Sequence, residues 1–256
     1  MPRLALLAHP AVRSAVAREL GRDIEYHDAV DSTQARARAL AEGGAERGIV
    51  VANEQRAGVG THGRSWHAAA GTSLLASWIT RPAPPAPALY TALAGVAVAR
   101  ALDGLGAKGA SLKWPNDVEL AAKKVAGVLA NATSGGGGGV LVLGIGINVH
   151  QRAADFPAEL AATATSLAVA GHDVDRLALL ARVTRELDRI ALPDERAVAL
   201  AEWRARSTLL GKGVEVRIEG RAPFAGTATA IDDEGALLVN TATGIERVVS
   251  GEVRPA

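Results

Sequence analysis

The chain contains no cysteine and a single methionine, and only 3% of its 256 residues are aromatic. Without cysteine there are no disulfides, thiol nucleophiles or thiolate metal sites, although compartment stays open. Charge of one sign is also missing. Lys and Arg number 28 against 27 Asp and Glu, a net of +1, so no overall field recruits DNA or an acidic membrane surface. No apolar run approaches the length of a membrane span. The N-terminal stretch MPRLALLAHPAVRSAVAREL is interrupted by Pro10, Arg13 and Arg18 and makes a poor signal peptide. One absence is local: from Gln55 through Leu102 there is neither Asp nor Glu. A chain of this size and ordinary hydrophobic content buries one full core with room for a small second module. A soluble, cytoplasmic protein is expected.

What is present reads as a mixed succession of elements. AVRSAVAREL (Ala11 to Leu20) suits a short helix ended by Gly21, and IEYHDAVDST a strand running into a helix start. Ser32 or Thr33 can cap QARARALAE, which Gly43-Gly44 stop. Strands are expected over Gly48 to Gln55 and Thr72 to Thr80, then a proline-rich connector RPAPPAP and a buried helix from Ala88 to Leu102. SLKWPNDVEL, KKVAGVLAN and VLVLGIGINV are strand-like, the last two joined by SGGGGG (Ser134 to Gly139) as a hairpin tip. Residues 151–170 carry little pattern, and helices follow over Val174 to Ala191 and Asp194 to Arg206. From Leu210 the character changes to short alternating strands, a small barrel or sheet. Helices between hairpin-connected strands argue for an α+β fold. The expected division is residues 1–207, with 1–22 as a helical extension, and residues 208–256.

Gly58-Val59-Gly60-Thr61-His62-Gly63 fits the Gly-x-Gly-x-x-Gly spacing of a dinucleotide-binding turn. That turn requires a preceding strand, a helix opening on the last glycine, and an acid ~20 residues on for the ribose. The strand is present, but RSWHAAAG leads into another strand and the acid is missing. A Walker-type Gly-x-x-x-x-Gly-Lys-Ser/Thr is absent too. What remains is a glycine loop with exposed N–H groups, flanked by Arg56, Arg64 and Trp66, able to close over an anion or to be a plain surface loop. A second cluster, Lys113-Trp114-Pro115-Asn116-Asp117 with Lys123-Lys124, offers cations for phosphates, a carboxylate for Mg²⁺ and an amide for a base or ribose.

Taken in order, DSTQ (Asp31 to Gln34), EQRAGVGTHGRSW, KWPND, KKVAGVL and GIGINV resemble the signature segments of biotin–protein ligases, over roughly Ala29 to Val149. The C-terminal part resembles that family's SH3-like β-barrel more loosely. The resemblance implies a mixed β-sheet with helices on one side, shared with lipoyl and octanoyl transferases. It implies activation of biotin with MgATP to biotinoyl-5′-adenylate, then transfer to a lysine of a biotin carboxyl carrier protein. By similarity, Ser32, Thr33, Gln34 and Gln55 with the backbone of Gly58, Val59 and Gly60 would hold the ureido ring. Trp66, Gly127 and Gly144 would line the chain pocket. Lys124 would bridge carboxylate and α-phosphate, with Arg64 as a second catalytic cation. Thr61, Lys113, Asn116 and Asn148 would contact ATP or adenylate, and Asp117 would take Mg²⁺.

Simpler roles stand beside these. Ser32 and Thr33 are also helix caps, Trp66 and Trp114 suit a core, Gly144 and Gly146 suit close strand packing, and His62 and His67 suit a solvated loop; no zinc site is expected. The family loop typically reads Gly-Arg-Gly-Arg-x-Gly-Arg, whereas Val59 and Thr61 stand here at the first two arginine positions. The resemblance implies no nucleic-acid partner, since the residues before Asp31 are fewer than the family's DNA-binding module uses. It leaves monomer and homodimer open, and it implies that residues 149–166 order on ligand binding. A lipoate ligase or octanoyl transferase is the same-fold alternative, and a biotin-responsive regulator is the alternative of another class.

Overall fold

A computed structural model of the chain describes residues 3–83, 86–133 and 139–256. Pro84 and Pro85 of the connector, and Ser134 to Gly138 of the expected hairpin tip, lie outside the described residues. Strand β1 (Asp23–His27) runs parallel to β2 (Arg47–Ala52), the two joined through helix α2 (Thr33–Glu42). A parallel neighbour requires such a crossover. All further pairings are antiparallel: β2 with β3 (Ser73–Thr80), β3 with β7 (Val140–Asn148), then β6 (Lys123–Thr133), β5 (Asp117–Leu120) and β4 (Ser111–Lys113). The result is the expected mixed sheet, in the order β1-β2-β3-β7-β6-β5-β4.

Strand alternation sorts the two faces. Ile49, Val51, Leu74, Ala76, Trp78, Leu143, Ile145 and Ile147 point into one large core. That core is covered by α1 (Pro10–Leu20), α3 (Pro87–Gly104), α4 (Arg176–Ile190) and α5 (Pro193–Arg206). Helix α3 is rich in alanine and valine, and those small side chains let it lie close against the sheet. The helical layer is thus on one side, with one exception. Helix α2 packs Ala37 and Ala41 on the other face, against Val50, Ile79, Val140 and Val142. It covers only that end, so the middle of the same face is left for a ligand.

SLKWPNDVEL is not one strand but the tight hairpin β4–β5, turning at Trp114-Pro115-Asn116 with a cis Trp114–Pro115 bond. Pro115 has no N–H for a ladder, and Asn-Asp after proline favours a turn. Near the C-terminus, β11 (Gly244–Val248) and β12 (Glu252–Pro255) are separated by a bend at Val249–Gly251. With β8 (Gly213–Arg217), β9 (Phe224–Ile231) and β10 (Leu237–Thr241) they form an antiparallel sheet of order β11-β10-β9-β8-β12. An antiparallel sheet of this order is consistent with an SH3-like module, but the edge strands β11 and β12 do not pair with each other, so no barrel is closed by hydrogen bonds.

The C-terminal sheet is tied to the β4–β5 turn and to α5 by hydrogen bonds. Trp114 Nε1 donates to Gly235 O at 3.1 Å, and Arg204 donates twice to Ile231 O. Trp114→Phe keeps an aromatic ring but leaves the Gly235 carbonyl without its donor. Urea unfolding should show a stability loss of about 1–3 kcal/mol. An unchanged midpoint would mean that the bond does not hold the two parts together.

Candidate functional site

The uncovered part of the sheet forms the floor of a cleft of about 490 Å³, counted to its opening. At the inner end stands the N-terminus of α2. Ser32 caps it, accepting from Ala35 N–H at 3.3 Å. The Thr33 N–H and Oγ1 both donate to Gln55 Oε1, at 2.7 and 3.0 Å. Gln34 reaches across the sheet face, its Nε2 donating to Val142 O at 2.9 Å. Ser77 Oγ lies 3.1 Å from Gln34 Oε1 and 2.9 Å from Thr33 Oγ1. Ser77, Thr33 and Gln34 are buried, at 0%, 4% and 6% exposure. Three oxygen–oxygen contacts thus share the two hydroxyl protons of Ser77 and Thr33. One contact always lacks a proton, so the cluster has acceptor capacity to spare for N–H groups of a ligand.

The middle is apolar and thin. A Cβ on Gly144 would fall 2.4 Å from Gln34 Oε1, one on Gly146 2.6 Å from Trp66 Cε2, and one on Gly127 3.1 Å from Trp66 Cζ3. The three glycines are therefore where the Gln34 amide and the Trp66 indole need the space. Trp66 is set by its own loop, which folds back on itself: Trp66 N–H donates to Gly58 O and Gly60 N–H to Arg64 O, with a 3-10 turn over Thr61–Gly63. That places Val59, Gly60 and Thr61 along the cleft as a lid.

The outer end is cationic. Lys124 Nζ is 2.5 Å from Asp117 Oδ1 and 5.8 Å from the Trp66 ring centroid. Asn116 Nδ2 donates to Val128 O at 3.0 Å, which seats the β4–β5 turn beside the cleft. Segment 149–170 is fastened at the same place: Lys124 N–H donates to Thr163 O and Thr165 N–H to Lys124 O. Behind it Arg176, 1% exposed, donates to Ser73 O and Asn53 Oδ1, and burial lowers its pKa from the usual guanidinium range.

Most expected site residues meet in this cleft, but five, Gly58, Arg64, Lys113, Asp117 and Asn148, do not line it. Asn148 has the strand parity of Gly144 and Gly146, yet it is 5% exposed. Its amide is engaged by Gln151 and Thr165 O, so it anchors the following segment. Lys113 lies on β4 opposite Asp117. Arg64 turns outward, 3.6 Å from Glu252 of the C-terminal sheet. Gly58 is buried beneath the lid, against Gln55 and Trp66. Asp117 reaches the site through Lys124. Sequence reasoning missed Ser77, whose one signal is a polar residue at an inward position of the apolar strand SLLASWIT. Among the described residues there is no group of three or more His, Asp or Glu able to hold a metal, so Asp117 offers one carboxylate. This fits a Mg²⁺ that arrives on a nucleotide and keeps phosphate and water as its other ligands.

The cleft therefore reads, from inside out, as an uncharged polar nest, an apolar slot under an indole, and an ammonium group. Comparison with known proteins agrees. Residues 28–148 match the biotin/lipoate A/B protein ligase family, and residues 209–254 the biotin protein ligase C terminal domain. The chain is 36% identical over 244 residues to the bifunctional ligase/repressor BirA of Bacillus subtilis, covering 91% of this chain and 74% of that protein. It is 35% identical over 245 residues to the biotin–[acetyl-CoA-carboxylase] ligase of Mycobacterium tuberculosis, covering 91% and 88%. A solved biotin protein ligase from Aquifex aeolicus, in complex with biotin and ATP, superposes with a TM-score of 0.78 at 29% identity, covering 91% and 99%. With a curated relative of this identity matched over most of both lengths, the chain belongs to the biotin–protein ligase family.

Proposed function

We infer that the protein is an ATP-dependent biotin–protein ligase: it joins biotin to AMP, releasing pyrophosphate, and passes the biotinyl group to a carrier lysine. The carrying observation is the proton-short cluster of Thr33, Gln34, Gln55 and Ser77 at the closed end. The two N–H groups and carbonyl of a ureido ring can complete it. The dithiolane of lipoate and the methyl end of octanoate have nothing to offer it. Burying them there leaves polar atoms unpaired, a discrimination of about 10⁴–10⁵ in sites built this way. Trp66 and the three glycines then take the alkyl chain, which delivers the carboxylate to Lys124.

Chemically, the first half-reaction brings a carboxylate to the α-phosphate, so two anions must be screened and aligned. Lys124 supplies that charge, with Asp117 beside it as the group that would hold the Mg²⁺ carried by ATP. The carboxylate oxygen attacks phosphorus and pyrophosphate leaves; the acceptor amine later attacks the acyl carbon and AMP leaves. The lid closes over the adenylate through its backbone N–H groups. The names of the Mycobacterium tuberculosis and Paracoccus denitrificans relatives point to acetyl-CoA carboxylase as the source of the acceptor. No helix among the described residues is long and apolar enough to cross a membrane.

The test is biotin-dependent exchange of labelled pyrophosphate into ATP, with lipoate and octanoate in parallel. Exchange with biotin alone is expected, and exchange with lipoate instead would move the protein to the sister activity. The lid supplies a second test. Val59 is 52% exposed at a position where an arginine is typical, and a phosphate-facing arginine contributes about 1.5–3 kcal/mol that valine cannot. Val59→Arg should therefore lower the KM for ATP and slow release of the adenylate. Unchanged values of both would remove the lid side chains from the nucleotide site.

A further inference from the structure

Lys124 stands just beyond the end of the central ladder of the large sheet. The β6–β7 pairing begins at Ala126 with Ile147, so β7 gives Lys124 no neighbour. A piece of the irregular segment after β7 takes that place. Ala164 lies opposite Lys124 in parallel pairing, with Lys124 N–H donating to Thr163 O at 2.8 Å and Thr165 N–H to Lys124 O at 2.9 Å. The backbone of the reacting lysine is therefore held by a strap that belongs to no helix or strand of the fold.

The strap is fastened by a buried polar knot. Ser73, Asn148, Gln151, Thr165 and Ser166 are each 5% exposed or less. Asn148 Nδ2 donates to Thr165 O at 3.0 Å. Gln151 Nε2 donates to Asn148 Oδ1 at 2.8 Å and to Ser73 Oγ at 2.6 Å, while Ser166 Oγ donates to Gln151 O at 2.6 Å. Only one orientation of the two amides satisfies these contacts. Turning Gln151 over sets its oxygen against Asn148 Oδ1, and turning both sets Asn148 Oδ1 against Thr165 O. A residue needed only to fill this space would be apolar, because Gln151 Oε1 is buried without a hydrogen-bond partner among the described residues.

We propose that Gln151 is a positioning residue for adenylation. By fixing the Asn148 amide it holds Thr165 O, and with it the strap that sets the Lys124 backbone. The proposal rests on the ligase reading above and adds to its machinery a residue that does not line the cleft. Lys124 Nζ must meet the carboxylate and the α-phosphate together, and misplacement of a reacting group by about 1 Å costs about 10²-fold. The knot is made of neutral side chains, so it acts on the lysine through position rather than through charge.

The test is biotin-dependent pyrophosphate exchange by the full chain carrying Gln151→Met, which keeps the length of the side chain and removes both donors. Its kcat should fall about 10–10²-fold, with the KM for biotin within about twofold because the ring nest is untouched. Ser73→Ala, which takes one of the two acceptors from Gln151, should lower kcat by a smaller factor with the same unchanged KM. It carries the test if Gln151→Met does not fold, as judged by calorimetric binding of biotin. The deciding arm adds either substitution to Lys124→Ala, where exchange should change by less than about twofold, since the group being positioned is gone. The full loss repeated in that background overturns the proposal, as does a raised KM for ATP at unchanged kcat, which would make the knot a nucleotide contact. Unchanged kcat in the folded single variants overturns it as well, and leaves the ligase reading standing. An unsubstituted chain without biotin-dependent exchange removes the ligase reading itself, and the role of Gln151 falls with it.

Discussion

Lys124→Ala should lose about 10²–10³-fold in the rate of biotin-dependent pyrophosphate exchange, the range seen when one preorganised transition-state donor is removed. Lys124 is the single charged side chain lining the cleft among the described residues. The usual lid arginines are replaced by Val59 and Thr61, and Arg64 pairs with Glu252 rather than facing the cleft. No other charged side chain among the described residues lines the cleft to take over. The effect should fall on kcat more than on the KM for biotin, because the neutral nest at the far end still binds the ring. Stability should hold, since the ammonium is one-third exposed and its partner Asp117 can hydrate. A loss below tenfold in exchange would mean that another cation carries the transition state, with Arg64 swung inward as the first suspect. The double variant Lys124→Ala, Arg64→Ala would show it.

The second large effect is expected from the floor. Gly144→Ala places a methyl carbon only 2.4 Å from Gln34 Oε1, well inside van der Waals contact. Gln34 cannot step aside without giving up Val142 O and the Ser77 hydroxyl. Gly146→Ala pushes instead on the Trp66 indole, whose Cε2 is 2.6 Å away. Overpacking of this kind typically costs about 1–3 kcal/mol, and a similar amount is lost again when a buried amide gives up its partners. Calorimetric titration with biotin should therefore show binding weakened by about 10²-fold or more in Gly144→Ala, with a smaller loss in Gly146→Ala because a ring can tilt. If Gly144→Ala binds biotin normally, Gln34 is not part of the ring site and the proton-short cluster must be reinterpreted.

Much of the architecture was legible because it follows from local rules. The Ser32 cap, the Gly43 stop, the apolar run SLLASWIT and the small residues of the long helix each determine an element without reference to the rest of the chain. SLKWPNDVEL is strand-like in its residues yet forms two strands and a turn. Its alternation is strand-like on both sides of Pro115, so the reversal depends on what the turn packs against. Ser77 escaped notice because one serine in a strand is common. Its importance arises from Gln34 and Thr33, which are 43 and 44 residues away in sequence. Asn148 shows the opposite case. Its motif suggested a ligand contact, but Gln151, three residues on, holds its side chain in the interior.

By itself, then, the sequence determined the α+β class, the order of elements and the chemical kinds available: a capped helix start, a glycine lid without its usual arginines, a lysine pair, and one turn with a carboxylate. Each of these is encoded within a few residues, by backbone propensity or side-chain chemistry. Only the tertiary structure decided which of them share a space. It set the nest, the indole-covered slot and the ammonium along one uncovered sheet face, sent Arg64 to Glu252, and brought Val249–Gly251 and Val59 to one cavity. Those choices depend on strand parity, on which side of the sheet α2 crosses, and on how the C-terminal sheet seats on Trp114. All three are long-range packing decisions that no local window of the chain contains.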